Sequence, residues 1–444
     1  MARRGLPTFL AALALVACSP TTPTTLESAA VTESASAPPA TSTALPSPTE
    51  DRDAGWRSDL EALVPAMDRI HPNLTHATSR AALDGAVADL VASIPDATDE
   101  ELLDGVLRIV AMVSADGCDA HTGAFVWGTG TYPVESLPLR LWLFGDEVVV
   151  VAALPPFEAL VGSRIDSIDG HPIADVVANV TPLIPKDNEQ TIRLLLPRYL
   201  LMPEVLRGLG LADLGDVTLG VTDQAGATSG IDVAPIPVAR YNDWAGPYGL
   251  HLPADTEVQY LSRIDEALWW TTEPDGETLY VQHNRVDRLP SATLVELRAA
   301  LHAPGIARVI LDLRHNFGGE VSAVDPMIGL LEDPAVDQPG KLFVITGRNT
   351  FSAASLLVAR LDTHTEATIV GEPMGGCPTA YGNSSDVTLP FSGIVVSVAG
   401  MLEIGVSADD ERMTIEPDIP VELTLGEWAS GSDPALGVIT TLVP

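Results

Sequence analysis

The spacing of apolar residues changes character along the chain, and each change marks a different kind of element. Trp56, Leu60, Leu63, Met67 and Ile70 recur every three or four residues, the period that lines one face of a helix. This helix is expected to stop near His71-Pro72, because proline disfavours helical backbone in the residue before it. A second helix is expected over about 80–93. A third starts at Asp99, which can cap it, with Leu102, Leu103, Val106, Leu107, Ile109, Val110 and Val113 on or near its buried face. From 129 to 240 the pattern shifts to strand-like runs, such as Leu139–Leu143 and Glu147–Leu154, broken by turns. From 275 onward, strand runs at Thr278–Val281, Val309–Leu313, Lys341–Thr346 and Ala367–Val370 have helical segments between them, at about 291–302 and 352–363. Asp386–Val398 then reads as a β-hairpin turning at Phe391-Ser392-Gly393.

The ends and the bulk numbers add a setting. Arg3 and Arg4 precede a short apolar run, Leu6–Ala17, too short to span a bilayer. It ends in Leu15-Val16-Ala17-Cys18, which resembles a bacterial lipobox and implies that residues 1–17 are a signal peptide and Cys18 is lipidated. Ordinary secretory cleavage beside an incidental cysteine is the other reading. Residues 18–50 are nearly all Ser, Thr, Pro and Ala, a composition that cannot bury a core and predicts a tether reaching roughly 30 Å as a coil. The chain has 444 residues, 46% of them hydrophobic, with 60 acids against 24 bases and a formal charge of -36. That length supports several cored domains, and that charge argues against nucleic acid and against electrostatic docking on an anionic membrane. Contact with a membrane is then expected through the lipid anchor only. Gly162–Ile173 resembles the strand–turn–helix segment of PDZ domains, whose sheet edge takes up an extended peptide. A generic small β domain with an Asp-Gly turn fits it too.

Three later segments carry chemistry. Leu311-Asp312-Leu313-Arg314-His315-Asn316-Phe317-Gly318-Gly319 is a buried-type strand running into paired glycines, which can turn backbone N–H groups into a cleft. Gly347–Leu356 places Ser352 at the start of an apolar helix, where free N–H groups and a partial positive charge favour an oxyanion. Read locally, Ser352 is first a helix cap. Val370–Pro378 is a glycine-rich strand exit.

In this order the three resemble the core motifs of the tail-specific, or C-terminal processing, serine protease family, which includes the tricorn core and the interphotoreceptor retinoid-binding protein. The matching pieces are Leu313–Gly319, Thr350–Ala354 and Gly371-Glu372-Pro373. The resemblance covers roughly 51–444 and implies a multidomain α+β chain. Its parts are an N-terminal helical domain (51–128), a PDZ-like β-rich domain (129–240), a connector (241–274) and a C-terminal α/β (ClpP/crotonase-like) catalytic domain (275–444). It implies Ser352 as nucleophile, with the N–H groups of Ala353 and of Gly318 or Gly319 as oxyanion donors. Peptides or proteins would be the substrates, and neither metal nor organic cofactor would be needed.

The pattern is broken where the processing proteases carry their lysine base, because Cys377 stands there. The tricorn-like branch uses a histidine instead, and Asp119-Ala120-His121-Thr122 resembles its segment, implying His121 as base. Glu411, six residues before Pro417-Asp418, is the implied orienting carboxylate, with Asp410 and Glu416 as competitors and Ala120 where that branch has a relay serine. If His121 meets Ser352, then Cys118 and Cys377 come close, and a disulfide would pin the histidine segment to the catalytic domain. Two separate buried thiols are the alternative. A degenerate family member that binds peptides or apolar ligands is the competing function.

Overall fold

The computed structural model describes residues 48–128, 132–245 and 258–442. The expected signal peptide, Cys18 and nearly all of the tether lie outside them. Among the described residues no helix is long and apolar enough to cross a membrane.

The helices expected at the start form over Pro48–Asp68, Arg80–Ser93 and Asp99–Ala111. The third is capped by Thr98, not Asp99: Thr98 and Glu101 make a reciprocal capping box, a pairing that satisfies two orphan N–H groups at the helix start. Asp99 instead accepts from Arg52 Nε (2.8 Å) and Trp56 Nε1 (2.9 Å), tying the first helix to the third. The central region is an antiparallel sheet in the order Leu139–Phe144, Glu147–Ala153, Arg164–Ile168, Val217–Thr222, Thr228–Val233. Asp169 and Gly170, both at positive φ, turn the chain from the third of these strands through His171-Pro172 into the helix Ile173–Val180. Helices and sheet share one apolar core, which also takes in Leu389, Ile394, Val396 and Val398 from the far C-terminal part.

The C-terminal region is a six-stranded sheet in the order Leu268–Thr272, Thr278–His283, Arg308–Asp312, Leu342–Thr346, Thr368–Gly371, Ile419–Pro420. All neighbours run parallel except the first pair. Leu279, Val309, Leu311 and Val344 pack into one apolar cluster with the helices Ser291–Leu301, Val324–Leu331 and Ala353–His364. Tyr280, Ile310, Phe343 and Val370 pack into another with Ala435 and Ile439. Burial on both faces explains why these strands read as unbroken apolar runs. Leu268–Thr272, which lies within the expected connector, forms the edge of this sheet.

One excursion leaves the sheet and positions the site. The expected hairpin forms from Ser385–Thr388 and Val395–Val398 and lies against the N-terminal helices. Asp59, fully buried on the first helix, accepts the N–H groups of Phe391 (2.9 Å) and Ser392 (2.7 Å). The ring of Phe391 occupies the space a side chain at Gly55 would need, 2.2 Å from the ideal Cβ position. The hairpin then pairs with the short strand Gly123–Ala124, Ala124 facing Val396 and Gly123 facing Ser397. Thus the first and last thirds of the chain meet two residues beyond His121.

Candidate active site

Ser352 ends a turn that its own neighbours build. Thr350 Oγ1 donates to Leu313 O (2.9 Å) and accepts the Gly347 N–H (3.0 Å). Phe351 N–H donates to Asn316 O (3.0 Å). Ser352 itself sits at φ 54°, ψ −129°, immediately before the helix Ala353–His364, and its side chain makes no capping bond. A non-glycine residue held there costs on the order of 1–3 kcal/mol. The cap reading therefore fails, because the hydroxyl points away from the helix end and meets His121 Nε2 at 3.0 Å.

His121 arrives from the first third of the chain and is held by contacts from several elements. Thr122 Oγ1 accepts the Ala399 N–H (3.1 Å), and the imidazole stacks on Phe351 with centroids 4.7 Å apart. Three residues upstream, Cys118 is disulfide-bonded to Cys377, with Cα atoms 5.5 Å apart. Burial pushes the imidazole pKa down to about 4, against the nearby Asp119 charge and Tyr381 backbone, which favour the charged form. The ring is therefore neutral at pH 7, able to accept a proton at Nε2. Nδ1 is buried without a hydrogen-bond partner, the Tyr381 backbone lying close but outside bonding geometry.

The oxyanion donors resolve differently from expectation. Ala353 N–H, at the helix start, donates to no described acceptor, and neither does Gly319 N–H. Gly318 N–H is committed to Asn316 Oδ1 (2.9 Å), so it is not an oxyanion donor. What Gly318 supplies is space. A Cβ there, at φ +94°, would lie 2.6 Å from Ser352 Cβ and 2.7 Å from Ala353 N. Asn316, fully buried, also donates to His283 O (2.7 Å), which clips the glycine turn to the sheet.

Glu411 is not at the site. It is exposed, and Glu416 is exposed as well. Asp410 is paired with Arg412 (2.7 Å). These acids ride on a surface loop, and counting back from Pro417-Asp418 cannot fix where such a loop points. Besides Asp119, whose charge favours the protonated ring, Glu403 comes near. In the strand pair Thr379–Gly382 with Met401–Ile404 it stands opposite Ala380. A Cβ built at Gly382 would lie 3.1 Å from Glu403 Cγ and 3.9 and 4.0 Å from His121 Cε1 and Nδ1. Both side chains thus share the space over Gly382. Burial raises the Glu403 pKa.

Asp187 is the other residue that sequence reasoning missed. It is buried and bridges the two halves, accepting Ala120 N–H on Oδ1 (2.7 Å) and Cys377 N–H on Oδ2 (3.1 Å). Its carbonyl accepts Cys118 N–H (2.9 Å). Burial raises its pKa to about 7, opposed by those N–H groups. The one sequence signal was the Asp-Asn pair before the helix Glu189–Tyr199, where Asn188 is the cap.

Among the described residues, His71, His76 and Asp119 could in principle hold a cation, their ligand atoms lying within 4.8 Å of one another. His71 Nδ1 accepts the Asn73 N–H (3.0 Å), so the ring proton sits on Nε2 and is donated to Asp119 Oδ2 at 2.9 Å. A cation on Nε2 would have to displace that proton. The trio therefore reads as a hydrogen-bonded cluster, completed by His76 Nε2 at 3.0 Å.

No protein-family model matches the chain, and no curated protein matches it in sequence. Solved structures do match. Mature CPAF aligns over 87% of this chain and 96% of its own, at 14% identity and a TM-score of 0.57. A serine-to-alanine mutant of CPAF aligns over 88% and 99%, at 14% identity and a TM-score of 0.61. CPAF complexed with lactacystin gives 87% and 98%, 15% identity and 0.58. At such identity the likeness is one of fold, and the chain shares the multidomain helix-and-sheet fold of CPAF over most of its described length.

Proposed function

We propose that the chain is a serine-type peptidase of the tail-specific kind, working through an acyl-enzyme on Ser352. The observation that carries this is the 3.0 Å contact between His121 Nε2 and Ser352 Oγ, at a serine whose backbone is strained and whose hydroxyl caps nothing. The likeness of fold to CPAF supports it. His121 takes the hydroxyl proton as Ser352 attacks the scissile carbonyl. The oxyanion forms beside Ala353 N–H, in the space that Gly318 leaves open, with Gly319 N–H as second donor. His121 then gives the proton to the leaving amine, and water, activated by the same ring, releases the acyl group. Asp119, whose charge favours the protonated ring, steadies the imidazolium that forms transiently, and Glu403 adds to it across the space over Gly382.

We read the setting as extracytoplasmic, with Cys18 as lipid anchor and the central sheet as a PDZ-like module that presents extended peptide. The Cys118–Cys377 disulfide supports that compartment, since such bonds persist where the surroundings oxidise. One observation favours the competing binding-protein reading: among the described residues no side chain bonds His121 Nδ1, which has only the Tyr381 backbone nearby. A fluorophosphonate probe separates the two. Covalent labelling that disappears in Ser352→Ala and falls sharply in His121→Ala is expected of the peptidase. Absence of labelling in the folded wild type would leave the binding protein.

A further inference from the structure

The turn that carries Ser352 is tied down by a side chain that the dyad chemistry does not use. Gly347–Thr350 closes tightly, Thr350 N–H donating to Gly347 O (2.8 Å), with Arg348 and Asn349 at its corners. Ser352 follows two residues on. Arg348 is only 2% exposed. Arginine is rarely buried so deeply unless it is paired, and here each arm of the guanidinium has a partner.

Nε and Nη2 donate to the two oxygens of Glu372, at 2.9 and 2.8 Å, a bidentate pair. Burial pushes the Glu372 carboxyl up, but Arg348 more than offsets this and holds its pKa below the ordinary glutamate value. The pair is therefore charged. Gly347 is the first residue past the strand Leu342–Thr346, and Glu372 the first past Thr368–Gly371. These strands are parallel neighbours, Thr346 facing Gly371, so the pair locks two adjacent strand exits in register. The second exit leads towards the base. From Glu372 the chain crosses the Ser352 turn so closely that a Cβ at Gly375 would lie 2.1 Å from Arg348 O. Gly376 N–H donates to Thr350 O (3.2 Å). The next residue is Cys377, bonded to Cys118 three residues before His121.

The remaining arm reaches the central sheet. Nη1 donates to Leu143 O (2.9 Å), and the centroid of the Trp142 ring lies 4.6 Å from the guanidinium carbon. Both residues belong to Leu139–Phe144, the outermost strand of that sheet. One buried side chain thus holds the nucleophile turn, the exit that leads to the disulfide, and the edge of the central sheet.

We propose that Arg348 is a positioning residue, which sets the Ser352 turn in register with the segment that anchors His121 and with the edge of the central sheet. Its kinetic consequences rest on the peptidase reading, and its geometric ones do not. A lysine would keep the charge, but its compact ammonium lacks the planar fork that grips both Glu372 oxygens while reaching Leu143 O.

The link is cut with least disturbance by Arg348→Met combined with Glu372→Gln, which leaves no unpaired buried charge. The control is Arg308→Met. Arg308 is also buried and lies on the same sheet at the opposite strand end, where it donates to Thr278 Oγ1 and Leu442 O. Full-length variants are compared where circular dichroism shows each of them folded. Fluorophosphonate labelling of Ser352, and kcat on a model peptide, should fall about 10–100-fold in the double variant, as a displacement of up to about 1 Å implies. KM should change less than about twofold. Arg348→Lys should fall between wild type and double variant, and Arg308→Met should match wild type. Hydrogen exchange at Gly376 N–H should quicken in the Arg348 variants and not in Arg308→Met. A folded double variant that labels and turns over within about twofold of wild type would overturn the proposal, and so would an equal loss in Arg308→Met. If wild type neither labels nor cleaves, the peptidase reading fails, and Gly376 exchange decides the positioning role, unchanged exchange overturning it. If the double variant misfolds, Arg348→Lys decides on the same readouts.

Discussion

The two halves of the candidate dyad are held in opposite ways. Ser352 is placed by its neighbours in sequence and in the sheet: Thr350, Phe351 and the Leu313–Gly319 turn fix its backbone where two adjacent parallel strands end. His121 is placed by the whole chain. A disulfide spanning 259 residues, the Asp187 carboxylate from the central region, and a hairpin reaching back from residue 396 all converge on it. A nucleophile built locally survives much rearrangement elsewhere. A base assembled from distant pieces is correct only when the domains are docked. The reactive pair is thus a report on tertiary assembly, with Ser352 as the fixed member and His121 as the conditional one.

The largest effect should come from breaking the pair itself. Ser352→Ala and His121→Ala should each remove nearly all amide hydrolysis, a loss of up to roughly 10⁶-fold in residues that act as one unit. The double variant should be no worse than either single one. Turnover measured on a model peptide, with residual rates resolved, checks this. A double variant that loses the product of the two single losses would mean that the residues act independently.

Next comes the conditional member. Removing the disulfide with Cys118→Ala/Cys377→Ala should cost about 2–5 kcal/mol of stability, read from the denaturant midpoint. Activity should fall further than stability explains, since a displacement near 1 Å at the base costs on the order of 10²-fold. Serine reactivity at the Ser352 turn should fall less than turnover, because Leu313 and Asn316 still hold Thr350 and Phe351; the backbone link to the cysteine segment is the Gly376 N–H on Thr350 O (3.2 Å). Undiminished turnover in the folded double variant would show that Asp187 and the hairpin suffice.

The same contrast explains what could be read in the sequence. The Ser352 turn was legible because its determinants are contiguous and chemically distinctive: paired glycines, Thr350, and Ala353-Ala354 after the serine. The parallel strands were legible from their apolar runs, and the hairpin from Ser392-Gly393 between two β-rich stretches. His121 was legible only through its local Asp-Ala-His-Thr company. Glu403 was not, since its approach to His121 exists only once Met401–Ile404 has paired with Thr379–Gly382 across the whole hairpin. Asp187 was hidden for a similar reason. A lone acid before a helix reads as a cap, and nothing local says that its carboxylate will bridge two segments from elsewhere. Gly318 was found for the wrong purpose, because a motif marks the need for glycine without saying whether its N–H or its missing side chain is used.

The smallest effect separates the two carboxylates. Burial lowers the His121 pKa to about 4, and only the neutral ring can accept the Ser352 proton. Activity should therefore fall as pH drops through about 4, and persist on the alkaline side, where an unperturbed histidine would already have begun to fail near 6.5 on the way down. Burial raises the Glu403 pKa, so the group is largely protonated where this limb falls, and Glu403→Gln should move the limb to lower pH only slightly. The shift should be less than about one pH unit, since no direct hydrogen bond is lost. Glu411→Gln, on an exposed loop, should leave the limb where it is. The kcat/KM profile of the three proteins reads both outcomes. A wild-type limb near 6.5 would deny the burial effect. A limb that moves with Glu411 and not with Glu403 would return the orienting role to the residue the motif spacing indicated, and would require the loop from Ser407 to Glu416 to fold over the site in the working enzyme.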